Sequence, residues 1–356
     1  MGLLRIAMVV GPWFPVPPEG YGGTELVAYN LSLELHRRGH HVTVFGQEGS
    51  RGPFEVVPLA PPEWSGDLGT KFQAPRENTF LHRVHELIRR RSFDIVHDHS
   101  GSTGILLATL LGHPGAVATL HTAVSGPQCD FLAEVDDVVR LVGISHSQQA
   151  RCPQVDWTAM VYNAVDPSEY RPVFRRQDKG DYVIQLARIS PKKAQHLSIE
   201  LARRAGVRLL LAGKVDQDAI DYFEREIQPH IGRTVEWREN IAGDEKVRLL
   251  AEAQAMVFPI QWEEPFGLAM IEAMVSGTPV LATPRGAASE VVDAGITGWI
   301  APDVDGLLDA YGRLDDIDLR RCAEHAGRRF GPQQMGDGYL SVYESTRFGQ
   351  TFSKPA

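Results

Sequence analysis

Residues 262–285, WEEPFGLAMIEAMVSGTPVLATPR, constrain the fold more than any other part of the chain. Pro265 fixes φ and turns the residue before it away from helical geometry, so a helix can begin only after it. The run from Leu268 to Val275 is apolar on every side, which suits a helix covered by other layers rather than one lying on a surface. Ser276 and Gly277 supply a left-handed stop, and 278–282 reads as a short buried strand.

The front of this helix is a place for chemistry. The first backbone N–H groups of a helix lack intrahelical partners, and its dipole puts roughly half a positive charge there. That is an anion site, and Gly267 lets a phosphate come close to the backbone. Glu264 precedes the helix and Glu272 lies about one turn inside it. Carboxylates do not bind phosphate, but they accept hydrogen bonds from hydroxyls. A phosphate site between two such carboxylates fits a ligand with hydroxyls on both sides of a diphosphate, as in a nucleotide sugar. The plainer reading makes Glu264 a helix-start charge and Glu272 a solvated one.

The string EPFGLAMIEAMVSGTPV resembles the signature of the family 4 retaining glycosyltransferases, which have the GT-B fold. Other stretches carry the same resemblance. PPEGYGGTE resembles that family's first loop, in which the paired glycines, here Gly22 and Gly23, lie against the donor's phosphate and sugar. TLHT resembles the segment with the family's cleft histidine, here His121. ARISPKKA resembles the G-R-x-x-x-x-K-G motif whose two cations hold the donor diphosphate. Arg188 and Lys193 are those cations, and Ala187 and Ala194 stand in place of the two glycines. NAVD resembles the N-G-x-D turn that closes the first domain, with Ala164 where glycine is usual. If that position needed positive φ, Ala164 would be strained.

The rest of the chain reads as strands alternating with helices. A buried strand at 5–10 runs into a long Pro/Gly loop and then an amphipathic helix that stops at Gly39. Further strands are expected at 42–45, 54–57, 94–97, 116–120, 138–144 and 159–162, and 167–176 reads as a linker. The second half opens with a strand at 182, and its RLLLAG echoes VTVFG of the first half, so the chain holds two similar doubly wound halves. Gly213 ends that second strand, and strands follow at 235–237 and 255–259. A last helix at about 333–344 would cross back to the first domain if the resemblance holds, and 348–356 reads as a loose tail. The expected domains are thus 1–170 and 171–331, with 332–356 returning to the first.

Composition excludes several classes. The length of 356 residues fits two domains rather than one core. A net charge of −9 with scattered Arg and Lys argues against nucleic acid as a partner. Cys129, Cys152 and Cys322 are odd in number, far apart and without C-x-x-C spacing, which reads as reduced thiols of a cytoplasmic protein rather than a disulfide frame or zinc site. No apolar run reaches the ~20 residues of a membrane span, and the N-terminus is too short in apolar residues for a signal peptide. His82, Arg83, His85, Arg89, Arg90 and Arg91 give one helix a basic side, which either meets anionic lipid at a membrane surface or is solvated. His97, Asp98 and His99 invite a metal reading, but His97 and His99 share a strand face, Asp98 points away, and no third ligand stands nearby.

The resemblance implies two doubly wound Rossmann-like domains facing across a cleft, and transfer of a sugar from a nucleoside diphosphate donor to an acceptor hydroxyl with retention. It implies donor-binding roles for Gly22, Gly23, Arg188, Lys193, Gly213, Glu264, Pro265, Phe266, Gly267, Leu268 and Glu272. Glu264 would hold the sugar hydroxyls and Glu272 the ribose, with Glu264, His121, Arg188 and Lys193 as the catalytic set. Arg188, Lys193 and the helix start would stabilise the departing diphosphate, so neither metal nor cofactor is expected. Family habit leans to a uridine donor. The sugar, the acceptor (small molecule, glycan or lipid-linked) and the oligomeric state stay open. A second mechanism makes His121 a general base for an inverting displacement. A nucleotide-sugar epimerase or phosphorylase, a non-catalytic nucleotide-sugar sensor and a nicotinamide oxidoreductase are the other classes, the last disfavoured because no G-x-G-x-x-G follows the first strand.

Overall fold

The computed structural model describes residues 2–347; the tail expected at 348–356 lies outside the described residues. These residues divide into two compact units, one of 2–164 with 332–347 and one of 165–331. The first holds β1 (Arg5–Val9), β2 (His41–Gln47), β3 (Glu55–Ala60), β4 (Ile95–Asp98), β5 (Ala116–Thr119), β6 (Arg140–Gly143) and β7 (Ala159–Met160). They form one sheet in the order β3-β2-β1-β4-β5-β6-β7, and every pairing is parallel. The second holds β8 (Tyr182–Leu186), β9 (Arg208–Ala212), β10 (Val235–Arg238), β11 (Met256–Phe258), β12 (Val280–Ala282) and β13 (Gly298–Ile300). Its order is β10-β9-β8-β11-β12-β13, again parallel throughout.

Parallel strands need crossovers, and helices supply them. Central strands buried on both faces read as continuous apolar runs, and β1, β9 and β12 do so: each is buried from its second residue or throughout. In both sheets the strand order reverses beside the first strand, between β1 and β4 and between β8 and β11. Loops at the carboxyl ends diverge at such a switch point and leave a crevice where ligands bind. Each unit is thus the doubly wound α/β architecture expected from the sequence.

The helix Leu268–Val275 has the expected bounds, and Met270 to Val275 are all buried. The last helix, Pro332–Arg347, belongs to the first unit. There it packs on the helix Gly23–Arg37: Arg38 Nη1 donates to Asp337 Oδ1 at 2.6 Å, and Arg38 Nη2 to the Gln333 carbonyl at 3.0 Å. Its Tyr339 and Tyr343 are among the largest fully buried side chains.

Two expectations are corrected, on the cysteines and on His85. Cys129 and Cys152 are joined by a disulfide, with Cα atoms 5.2 Å apart, so two of the three thiols are not free. Their separation of 23 positions in the sequence hides that the helix Pro127–Val135 and the turn after His146–Ala150 lie side by side. Cys322 is free and buried. Position 164 does not take positive φ, so the condition for strain at Ala164 is not met; among the described residues the non-glycine with positive φ is Ala194, at 53°. His85 does not share the basic side of its helix Gln73–Arg90 but is buried. The arginines on that helix are largely engaged within the protein: Arg89 and Arg90 with Glu86, Arg91 with Glu55, and Arg83 with the Leu59 carbonyl. That favours a solvated side over a lipid-facing one. Among the described residues no helix is long and apolar enough to cross a membrane.

Candidate active site

In the second unit the expected donor residues gather at the carboxyl ends of β8, β9 and β11. Lys193 follows β8 and Glu264 follows β11, so the two stand on opposite sides of the switch point. Their side chains form an ion pair, with 13% and 12% of each exposed. Trp262 Nε1 donates to the same carboxylate oxygen at 2.8 Å, and the Lys193 ammonium lies 5.1 Å from the Trp262 ring centroid. Arg188 Nη1 is paired with Asp216 Oδ1 at 2.8 Å. Both cations sit on backbone anchored by buried glutamines. Gln185 Nε2 donates to the Lys193 carbonyl at 2.7 Å, and Gln195 Nε2 to the Arg188 carbonyl at 2.9 Å.

Gly213 ends β9 with φ 145°, and a β-carbon there would stand 2.1 Å from the Ala187 carbonyl oxygen. The residue before Arg188 therefore rests directly on a glycine. Ala194 holds the left-handed geometry that caps the helix Gln195–Ala205, at the position where the resemblance expects glycine. Gly267 caps Leu268–Val275 with φ 87° and ψ 63°. The short loop before it brings Pro265, Phe266 and Leu268 to the helix start, with Phe266 buried against Phe330.

Glu272 is 5% exposed. Its Oε1 accepts from the Tyr170 hydroxyl at 2.9 Å and from Lys246 Nζ at 2.7 Å. Oε2 takes no hydrogen bond from the described residues, which leaves one carboxylate oxygen to accept from a ligand. Burial, then the Glu272 charge, push the Tyr170 phenol well above its ordinary value, so it stays a donor.

Sequence reasoning missed several members of this site. Asp216, Tyr170, Lys246 and Trp262 pair with the expected residues from distant or unremarkable positions. Gly286 was also missed: its φ is 56°, and a β-carbon there would lie 2.2 Å from the Glu264 nitrogen and oxygen. Ala287 N donates to the Glu264 carbonyl at 2.9 Å, so the turn at 285–287 sets where Glu264 stands. The signal in the sequence was the glycine after Thr283-Pro284-Arg285.

In the first unit the expected residues also lie at carboxyl ends. Gly22, with φ 152°, caps the helix that begins at Gly23, and a β-carbon at Gly22 would lie 2.7 Å from Pro18 Cβ. His121 follows β5 and is half-buried. His99 Nδ1 and His121 Nε2 are hydrogen-bonded at 2.8 Å. His97 bonds Tyr343 and Thr119, both at 2.8 Å, and so serves the interior. Burial pulls the His121 imidazole down to about 4 and His97 to about 3, so both are neutral near pH 7. Asp98 is buried on the other face, and burial raises its carboxyl to about 6. Among the described residues no three His, Cys, Asp or Glu side chains are grouped to hold a metal ion.

Comparison with known proteins agrees with this geometry. Residues 166–310 match the model of glycosyl transferases group 1, and 21–169 that of glycosyltransferase family 4. The chain is 30% identical to spore coat protein SA of Bacillus subtilis (strain 168), covering 97% of this chain and 100% of the relative. It is 28% identical to the MMP alpha-(1->4)-mannosyltransferase of Mycolicibacterium hassiacum, over 91% of this chain and 94% of that one. Among solved structures it resembles AviGT4, a glycosyltransferase involved in avilamycin A biosynthesis, with TM-score 0.75 and 26% identity over 98% of this chain and 99% of that one. A sucrose-phosphate synthase from Thermosynechococcus elongatus shares the fold, with TM-score 0.79 at 18% identity over 98% of this chain and all of the other. With a full-length relative at 30% identity and two family models spanning most of its length, this chain belongs to the family 4, group 1 glycosyltransferases and is a glycosyltransferase.

Proposed function

We propose that this glycosyltransferase takes its sugar from a nucleoside diphosphate donor, held by the second unit, and passes it to an acceptor hydroxyl with retention. The observation that carries this reading is the placement of Lys193 and Glu264 on the two sides of the β8/β11 switch point, next to the helix start at Gly267. The barrier in such a reaction is departure of a diphosphate from an oxocarbenium-like sugar, and fixed positive field at the leaving group lowers it. Arg188, Lys193 and the N–H groups at Leu268 supply that field. Glu264 takes hydrogen bonds from sugar hydroxyls, and Oε2 of Glu272 takes them from the ribose. The chemistry asks for no metal, since two cations and a helix start already face the diphosphate. Retention without a protein nucleophile leaves the departing phosphate oxygen to take the acceptor's proton on the same face.

His121 suits hydrogen bonding to a sugar better than general-base catalysis. Burial holds its imidazole near 4, which makes it a weak base at neutral pH. A uridine base is the donor we test first. The test is turnover of UDP- and GDP-sugars against simple sugar, glycan and lipid-linked acceptors in chelator, with the anomeric configuration of the product read by NMR. A retained product formed in chelator supports the reading. An inverted product, or activity restored only by added metal, contradicts it.

A further inference from the structure

Three neighbouring strands of the first unit bring Met8 of β1, His99 at the end of β4 and His121 after β5 into one line. His99 Nε2 stands 3.0 Å from Met8 Sδ, and His99 Nδ1 stands 2.8 Å from His121 Nε2. The two imidazole planes are 20° apart with centroids 5.1 Å apart, so the rings meet edge to edge, nearly in a common plane. That is the geometry of an N–H···N hydrogen bond.

The proton positions follow from chemistry. A thioether sulfur only accepts. The close approach to Met8 is therefore attractive only if His99 Nε2 carries a proton; two lone pairs at that distance would repel. A neutral imidazole has one N–H, so His99 Nδ1 is bare and accepts. His121 Nε2 must then donate, and its own Nδ1 is bare in turn. Burial, with His97 and His121 alongside, keeps His99 neutral, which removes the doubly protonated alternative. Nδ1 of His121 takes no hydrogen bond from the described residues.

We propose that His99 is a positioning residue that locks His121 in the tautomer protonated at Nε2, so that its Nδ1 accepts a hydrogen bond from a sugar hydroxyl. The role of the Nδ1 lone pair rests on the reading that His121 meets a sugar; the tautomer itself does not. A histidine so fixed selects for a hydroxyl and against a carbonyl or ether oxygen at that point, because it has no proton to give there. This makes His99 and Met8 determinants of which sugar group is accepted, though neither touches it.

The test is nitrogen-15 NMR of the histidine rings in ligand-free protein, with the His121 signals assigned by their loss in His121→Gln. The expected result is a protonated Nε2 and a bare Nδ1 for His121. Met8→Leu nearly preserves volume, so the fold is kept while the thioether acceptor is lost. The His99–His121 pair can then reverse, and a bare Nε2 population of His121 is expected to appear. Turnover should fall with it, by up to roughly tenfold for a weakened hydrogen bond. His99→Phe, which removes the acceptor, should release the tautomer as well. A proton on Nδ1 of wild-type His121, or an unchanged tautomer in both variants, overturns the proposal. The sugar-contact reading fails separately, if His121→Gln turns over like the wild type.

Discussion

Lys193 and Glu264, 71 residues apart in sequence, form an ion pair across the switch point of the second sheet, and Trp262 donates to the same carboxylate oxygen as the lysine. Each partner holds the other where a donor's diphosphate and sugar would meet it. A sugar hydroxyl can replace the lysine as donor to Glu264, which frees the ammonium for phosphate. Lys193→Ala should therefore weaken nucleoside diphosphate binding and slow turnover. Losing one fixed donor to a developing charge costs on the order of a hundredfold or more in rate. Steady-state kinetics beside a calorimetric titration measure both, and wild-type kinetics in Lys193→Ala would exclude the lysine from the reaction.

Glu272 should act on the nucleoside rather than the sugar. Glu272→Gln keeps the side-chain volume but weakens the acceptor for Tyr170, Lys246 and the ligand. The expected result is weaker binding of a nucleoside diphosphate with little change in the affinity for inorganic diphosphate. Equal loss for both ligands would place Glu272 at the phosphates.

Gly213→Ala should disturb the Arg188 turn. The added methyl would stand 2.1 Å from the Ala187 carbonyl, at a φ of 145° that L residues avoid. Roughly 1–3 kcal/mol follows from the backbone conformation alone. Thermal unfolding should show the loss, and donor affinity should fall with it. A stable variant with full affinity would mean that the strand end can shift freely.

His85 is buried with neither ring nitrogen hydrogen-bonded. Burial depresses it from 6.5 to about 4. Between those values the unfolded chain binds the proton that the folded one refuses, so stability rises with pH through that window and is lost on acidification. His85→Leu removes this dependence, and leucine suits the helix interior. The variant should gain more over wild type at pH 5 than at pH 7.5, measured by denaturant unfolding. An equal difference at both pH values would contradict the burial of His85.

Glu25 gives the opposite slope. Burial raises it from 4.5 to about 7, with a hydrogen bond from its own backbone opposing. The folded state keeps a proton that the unfolded chain loses, so stability falls as pH rises from 4.5 to 7. Glu25→Gln should therefore gain on wild type between pH 5 and pH 8, by an amount on the order of 3 kcal/mol at most. A gain that does not change with pH would show that Glu25 is ionised in the fold.

Much of this was legible from local pattern. The apolar helix Leu268–Val275, the alternation of strands and helices, and the cations Arg188 and Lys193 each follow from neighbouring residues and from a long motif. What was not legible depends on contacts between distant segments. Nothing near Asp216, Lys246 or Gly286 says that they face Arg188, Glu272 and Glu264. The Cys129–Cys152 bond was hidden in the same way, by a helix and a distant turn whose adjacency only the fold sets. Ala164 and Ala194 show the limit of reading by motif. Both stand where glycine is usual, yet only Ala194 adopts the left-handed backbone.

The most direct measurement is calorimetric titration of the wild type and Arg188→Ala with UDP and GDP in chelator. The donor site described here predicts tight binding of one of the two diphosphates by the wild type and its loss in the variant. No binding of either, or equal binding by both proteins, would contradict a nucleoside diphosphate site on the second unit.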